Sequence, residues 1–463
     1  MQLALILAVL TTLVISENSP CQPVSGTMVR LVVAGCGMVL APLFAAVSSG
    51  MIAWRLRADF GRRHLLLRRF RDLRRVHVVL WVVMAGATAQ WLDWARLVRF
   101  NWHLDHAFLI DDMLILTPVV VPLVLSWAAF YEVERAVRAG LAGEGSHELE
   151  PTSRRQYLAL HLRHYLGLLL LPVLGLLAVQ DAAELIAPSL VGSGYGALLY
   201  VPALILLFAF FPVLLRHVWQ TCPLAAGPLR DRLQSCARRA GFSAREILVW
   251  HTGGMMANAA VAGFFPKSRY VFLTDGLLSS LTDEETEAVF GHEAGHVRHH
   301  HLLLRVAAMI APLSLWLLLR QLFPEAMGCL ETWLSKGGPG LQAPTGLAVL
   351  AGMALYVLVV FGSYSRLLES QADLFGCQAL GAERSGDPIA TFCSALECLT
   401  AAAGGDRNRR SWQHASVARR VDFLNQVARD PIHVLRFHQR VRSLGLLMIG
   451  IVISPLVHRL LLG

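Results

Sequence analysis

The feature that most limits what this chain can fold into is a recurring apolar run long enough to cross a bilayer. About 20 residues of helix suffice for a crossing. Runs near 29–54, 76–92, 107–131, 165–187, 195–215, 302–322, 345–362 and 443–462 approach or exceed that length. A shorter run at 1–16 has no basic lead and a poor small-residue cleavage pattern, so it reads as a ninth, uncleaved helix rather than a leader. With 55% hydrophobic and 16% charged residues, the chain is not composed like a soluble domain. A multi-pass helical membrane protein of eight or nine spans is expected.

The formal charge of +9 does not point to nucleic acid. Its densest run, Arg55, Arg57, Arg62, Arg63, Arg68, Arg69, Arg71, Arg74 and Arg75, lies between two apolar spans, where excess basic residues mark the cytoplasmic side. Parity from that point places 132–163, 217–301 and 363–442 inside, all rich in arginine, and the basic-poor loops 188–197 and 323–344 outside. The polar segments therefore face the cytoplasm. Lysine is confined to Lys267 and Lys336, an arginine bias that fits a GC-rich bacterial genome, so the bacterial inner (cell) membrane is the expected location. The eight cysteines form no CxxC pair and read as structural thiols.

The composition changes at 217. DRLQSCARRAGF has the period of an amphipathic helix closed by Gly241, and REILVWHT and SRYVFLTDGLL read as strands with ANAAVAGFFP between them. Next, SLTDEETEAVFGHEAGHVRHH opens with a Thr282-x-x-Glu285 capping box, so it predicts a well-started helix. On that helix His292 and His296 are four residues apart and project from one face, the spacing that grips a metal ion. Glu293, about 100° around the axis, can reach a water at the ion and act as general base. Gly291 and Gly295 leave room beside the metal face, and His299, His300 and His301 read as a solvated or interfacial helix exit.

A catalytic zinc needs a third protein ligand and an open position. Glu325 and Glu331 fall in an outer loop, whereas SRLLESQAD places Glu369 and Asp373 on one helix face on the inner side. One of these carboxylates can bind the ion while the other orients a ligand histidine.

GHEAGH followed by SRLLESQAD resembles the membrane-embedded M48 family of zinc metallopeptidases, the family of the heat-shock protease HtpX and the CaaX prenyl protease Ste24. The likeness covers about 220–430. ANAAVAGFFPKSRYVFLTDGLLSSLTDEETEAV resembles the family's approach to the motif helix, and SWQHASVARRVDFL its His-Pro-x-x-x-x-Arg element, with Ala415 in place of the proline and no tyrosine after Asn258-Ala259. The resemblance implies one zinc ion per chain held by His292, His296 and Glu369, with Glu293 as base and Asp373 supporting a zinc histidine. It further implies His414 as a donor to the oxyanion, Arg420 as a charged partner of the Glu369 helix or the oxyanion side, and Asn258 beside a strand that receives peptide substrate.

The expected fold is mainly α, a multi-pass helical membrane protein with a zincin-type α+β metallopeptidase domain containing a small β-sheet. Residues 1–216 form the N-terminal membrane region, 217–442 the peptidase domain interrupted by a membrane hairpin at 302–362, and 443–463 a C-terminal span. The expected activity is peptide-bond hydrolysis at the cytoplasmic face, acting on misfolded or membrane proteins in quality control, with the lipid bilayer as environment. Two alternatives are a signalling receptor whose peptidase domain cleaves one regulator, and a transporter or scaffold with an inactive peptidase-like domain. Short outer loops argue against the first, and the filled ligand and base positions against the second.

Overall fold

A computed structural model describes residues 2–105, 107–143, 153–191, 197–336, 352–380, 387–402, 406–408 and 415–462. The chain divides into two compact units, one comprising 1–221 with 251–253 and 263–268, the other 222–250, 254–262 and 269–463.

The first unit is helical: α1 (Gln2–Glu17), α2 (Thr27–Ala58), α3 (Arg63–Trp91), α4 (Thr117–Gly143), α5 (Arg154–Ile186) and α6 (Ala197–Val218), joined by short helical pieces. Helices α2, α3 and α4 pack on one another. Polar atoms between them find partners, as where Trp81 Nε1 donates to the Val119 carbonyl at 2.9 Å and Ser126 Oγ lies 2.8 Å from His77 Nε2. The basic run occupies the end of α2 and the first turns of α3, mostly exposed.

Among the described residues four helices are long and apolar enough to cross a membrane: Thr27–Ala58, Arg154–Ile186, His301–Leu322 and Ile432–Leu461. A fifth arises if Phe60–Trp91 and Trp94–Asn101, bent by 57°, act as one span. This is fewer than the eight or nine expected. The run at 107–131 is broken at Leu116, and α4 carries Glu132, Glu134, Arg135 and Arg138 in its second half. The described apolar part of α6, Pro202–Val218, and the helix Gln2–Glu17 are shorter than a span, and 345–351 of the run 345–362 lie outside the described residues.

The second unit carries the sheet. Its strands are β1 (Thr221–Pro223, the first residue of which belongs to the other unit), β2 (Glu246–Trp250), β3 (Ala259–Ala262) and β4 (Tyr270–Thr274), in the order β1-β2-β4-β3. Strand β4 runs parallel to β2, with Glu246 opposite Tyr270, and antiparallel to β3, with Ala259 opposite Leu273. All five β4 residues are buried, as befits a central apolar strand, while β3 lies at an edge. The first amphipathic helix, α7 (Pro228–Arg239), ends in Gly241 at φ 60°, the left-handed position that favours glycine. Leu233 and Cys236 of α7, Val271 and Leu273 of β4, and Phe290 and Ala294 of the motif helix share one core.

After α8 (Asp275–Ser280) comes the motif helix, α9 (Asp283–Arg298). Its capping box is formed: Thr282 Oγ1 accepts from the Glu285 backbone N–H at 3.2 Å, and Glu285 Oε2 from that of Thr282 at 2.9 Å. The helix ends where His300 turns left-handed at φ 55°, and α10 (His301–Leu322) leaves in a new direction. A helix at Pro324–Lys336 and a helical piece at Val357–Phe361 precede α11 (Gly362–Ala379), α12 (Pro388–Ala402), α13 (Val417–Arg429) and α14 (Pro431–Leu462), the last packing along α10.

Candidate metal centre

The centre exists because α9 and α11 approach closely, and glycines permit the approach. A Cβ on Gly291 would stand 2.9 Å from Ala379 Cβ, and one on Gly295 3.0 Å from Phe375 Cβ. A Cβ on Gly376 would meet the Ala288 carbonyl oxygen and the His292 nitrogen, both at 3.1 Å. Gly291 and Gly295 therefore make room for the neighbouring helix, not for the metal face as their position in the motif suggested. Gly376→Val should push the helices apart, with a stability loss of about 1–3 kcal/mol. A lowered melting temperature together with weaker metal retention is the expected result, and an unchanged pair of values would contradict it.

Across that contact His292, His296 and Glu369 present ligand atoms that all lie within 4.8 Å of one another. His292 Nε2 is 3.2 Å from His296 Nε2 and 3.7 Å from Glu369 Oε2, while His296 Nε2 is 3.5 Å from Glu369 Oε1. A tetrahedral ion with bonds of about 2.0–2.1 Å separates its ligands by about 3.4 Å. The donor set therefore fits zinc in both type and spacing.

Each of the three residues rests on a partner of its own. His292 Nδ1 lies 2.8 Å from Asp373 Oδ1, in ion-pair range although the ring N–H is not aligned for a hydrogen bond. Asp373 is fully buried and takes a two-pronged contact from Arg420, Nε to Oδ2 at 2.8 Å and Nη2 to Oδ1 at 2.5 Å. Glu369, 3% exposed, accepts from Arg305 Nη2 at 2.5 Å. His296 Nδ1 meets His301 Nδ1 at 2.7 Å.

Burial alone would raise the Asp373 carboxyl, but Arg420 and His292 outweigh it and hold it below its ordinary value. Burial likewise disfavours charge on His292, and the Asp373 and Glu369 carboxylates reverse this and hold the ring above its ordinary value. His296 is held well below, first by burial and then by His292. Glu293, half-buried on the same helix, is pushed up to about 7, chiefly by burial, with a backbone hydrogen bond from Val261 of β3 acting the other way. A carboxyl in that range suits proton transfer near neutral pH.

The structure thus brings His292, Glu293, His296, Glu369 and Asp373 to one place. Arg420, expected as a charged partner of the Glu369 helix or of the oxyanion side, grips α11 through Asp373, one turn beyond Glu369. Asn258 stands exposed at the start of β3, its backbone N–H donating to Thr274 Oγ1 at 2.8 Å and its carbonyl accepting from the Thr274 N–H at 3.0 Å. His414 lies outside the described residues. Two groups were missed by the reading of the sequence. His301, taken for part of a solvated exit, is 1% exposed, because the turn at His300 folds it back onto α9. Arg305 was passed over inside the apolar run 302–322, although a charge in such a run is itself a signal of function.

Residues 223–427 match the sequence model of Peptidase family M48. A Protease HtpX homolog of Aeropyrum pernix is 28% identical over 199 residues, 42% of this chain and 61% of that protein. One from Pyrobaculum calidifontis is 36% identical over 127 residues, 27% of this chain and 36% of that protein. A crystal structure of S. mikatae Ste24p is 16% identical, with a TM-score of 0.45 over 87% of this chain and 99% of that one. The matched segments span about three fifths of the first relative and about a third of the second.

Proposed function

We propose, from the match of residues 223–427 to the sequence model of Peptidase family M48, that this chain is an integral membrane zinc endopeptidase, with one zinc ion on His292, His296 and Glu369. The observation that carries this is the convergence of three ligand residues at tetrahedral spacing, with a carboxylate of raised pKa on the adjoining face of the same helix.

When bound, the ion supplies Lewis acidity toward a peptide carbonyl and the attacking water. The Glu293 carboxylate takes the proton of that water and returns it to the leaving amine. Substrate lies extended along the outer edge of β3, within reach of Glu293 because Val261 of that strand already contacts it, and the exposed Asn258 side chain meets the peptide at the strand's start. His414 donates to the developing oxyanion.

The arginine-rich segments 132–163, 217–301 and 363–442, set against the basic-poor loops 188–197 and 323–344, favour a cytoplasmic active site in a bacterial inner membrane. The likeness to proteins named Protease HtpX homolog supports proteolysis, and as substrates we propose misfolded or membrane proteins, in quality control. As domains we propose a membrane region to 216, a peptidase domain over 217–442 and a final span.

Detergent-purified protein should carry about one zinc and cut an unfolded model protein. Chelation should abolish cleavage and zinc should restore it. Metal-free protein that still cuts, or protein that binds no zinc, overturns the reading.

A further inference from the structure

His301 is 1% and Gln371 7% exposed, and together they continue a chain that starts at His296. From the His296 Nδ1 contact it runs through His301 Nε2, 3.1 Å from Gln371 Oε1, to Gln371 Nε2, 2.9 Å from His438 Nδ1. The chemistry of the groups leaves it one direction compatible with a metal. An amide oxygen only accepts, so His301 carries its proton on Nε2. Its Nδ1 is then bare and accepts the His296 Nδ1–H. His296 in turn has a bare Nε2, the atom that faces His292 and Glu369. Turning the Gln371 amide over would reverse every bond and place a proton on His296 Nε2, closing that atom to a metal.

We propose that His301, held in one tautomer by Gln371, is the positioning residue that presents His296 to the metal. The proposal rests on the zinc-peptidase reading above. It makes the two histidine ligands unequal: Asp373, a carboxylate, stands behind His292, whereas a neutral imidazole stands behind His296. Partners of this kind set the orientation and tautomer of a ligand ring, and losing one typically weakens metal binding about 10–100-fold.

Two isosteric substitutions separate positioning from packing. His301→Asn keeps a polar atom near the Nδ1 position and loses the Nε2 end, whereas His301→Gln keeps the Nε2 end and loses the contact with His296. Zinc affinity of the full chain in detergent would be read by competition with a chromophoric chelator, beside the melting temperature of each metal-free protein. His301→Asn should bind zinc within about threefold of wild type, while His301→Gln and His301→Ala bind it about 10–100-fold more weakly. Gln371→Leu should also weaken binding, because His301 can then turn to the wrong tautomer. Equal losses in the Asn and Gln variants, tracking melting temperature, overturn the proposal, as does an unchanged affinity in all of them. If His301→Asn does not fold, Gln371→Leu decides: reduced affinity supports the chain and wild-type affinity overturns it. A wild type that binds no zinc instead removes the peptidase reading, a distinct result.

Discussion

Glu293→Gln is expected to keep its zinc and lose about 10²- to 10⁴-fold in peptide hydrolysis, the range a positioned general base contributes. The carboxamide has nearly the shape of the carboxylate, and Glu293 is not among the three converging ligand residues, so metal content should stay near wild type. It cannot accept a proton from the attacking water or hand one to the leaving amine. Glu369→Ala serves as the contrast, since it removes a ligand and should lose the metal along with activity. Metal analysis beside initial rates on an unfolded substrate reads both. Activity in Glu293→Gln within about tenfold of wild type would remove Glu293 from the role of base.

Arg420→Ala should destabilise the protein by about 3–5 kcal/mol, the loss expected when one partner of a buried ion pair is removed. Asp373 is 0% and Arg420 13% exposed by side chain, so water does not replace the lost guanidinium. The orphaned carboxyl then protonates and no longer supports His292, which lowers zinc affinity as well. Replacing both residues by leucine should return much of the stability, because no charge remains buried, but not the zinc affinity. Chemical or thermal unfolding in detergent, paired with chelator competition, separates these outcomes. Recovery of zinc affinity in the double variant would show that the pair does not act through His292. The pH dependence has a definite sign: Asp373 is held below its ordinary value, so its stabilisation is present at neutral pH and is lost as pH falls through the folded pKa, beneath the usual carboxylate range.

What could be read in advance was local. The Thr282 and Glu285 cap, the placing of His292 and His296 on one helical face, and the strand segments that hold β2 and β4 follow from interactions a few residues long or from a simple period. The spacing of Gly291 and Gly295 was equally visible, yet its meaning was not, since a small-residue stripe says only that something comes close. Among the described residues fewer helices reach span length than the apolar runs suggest, because a run such as 107–131 does not announce where its helix breaks.

By itself the sequence determined a helical chain with several membrane-length apolar segments, and one helix bearing a paired-histidine metal motif with its acid. Only the tertiary structure decided which partner stands behind each ligand: Asp373 and Arg420 behind His292, His301 behind His296, Arg305 behind Glu369. Helical geometry sets the distance between residues four apart, whereas a contact such as Arg420 with Asp373, 47 residues away, depends on how close two helices can pack. Between α9 and α11, and so between the two histidines and Glu369, Gly291, Gly295 and Gly376 set that closeness through the side chains they lack.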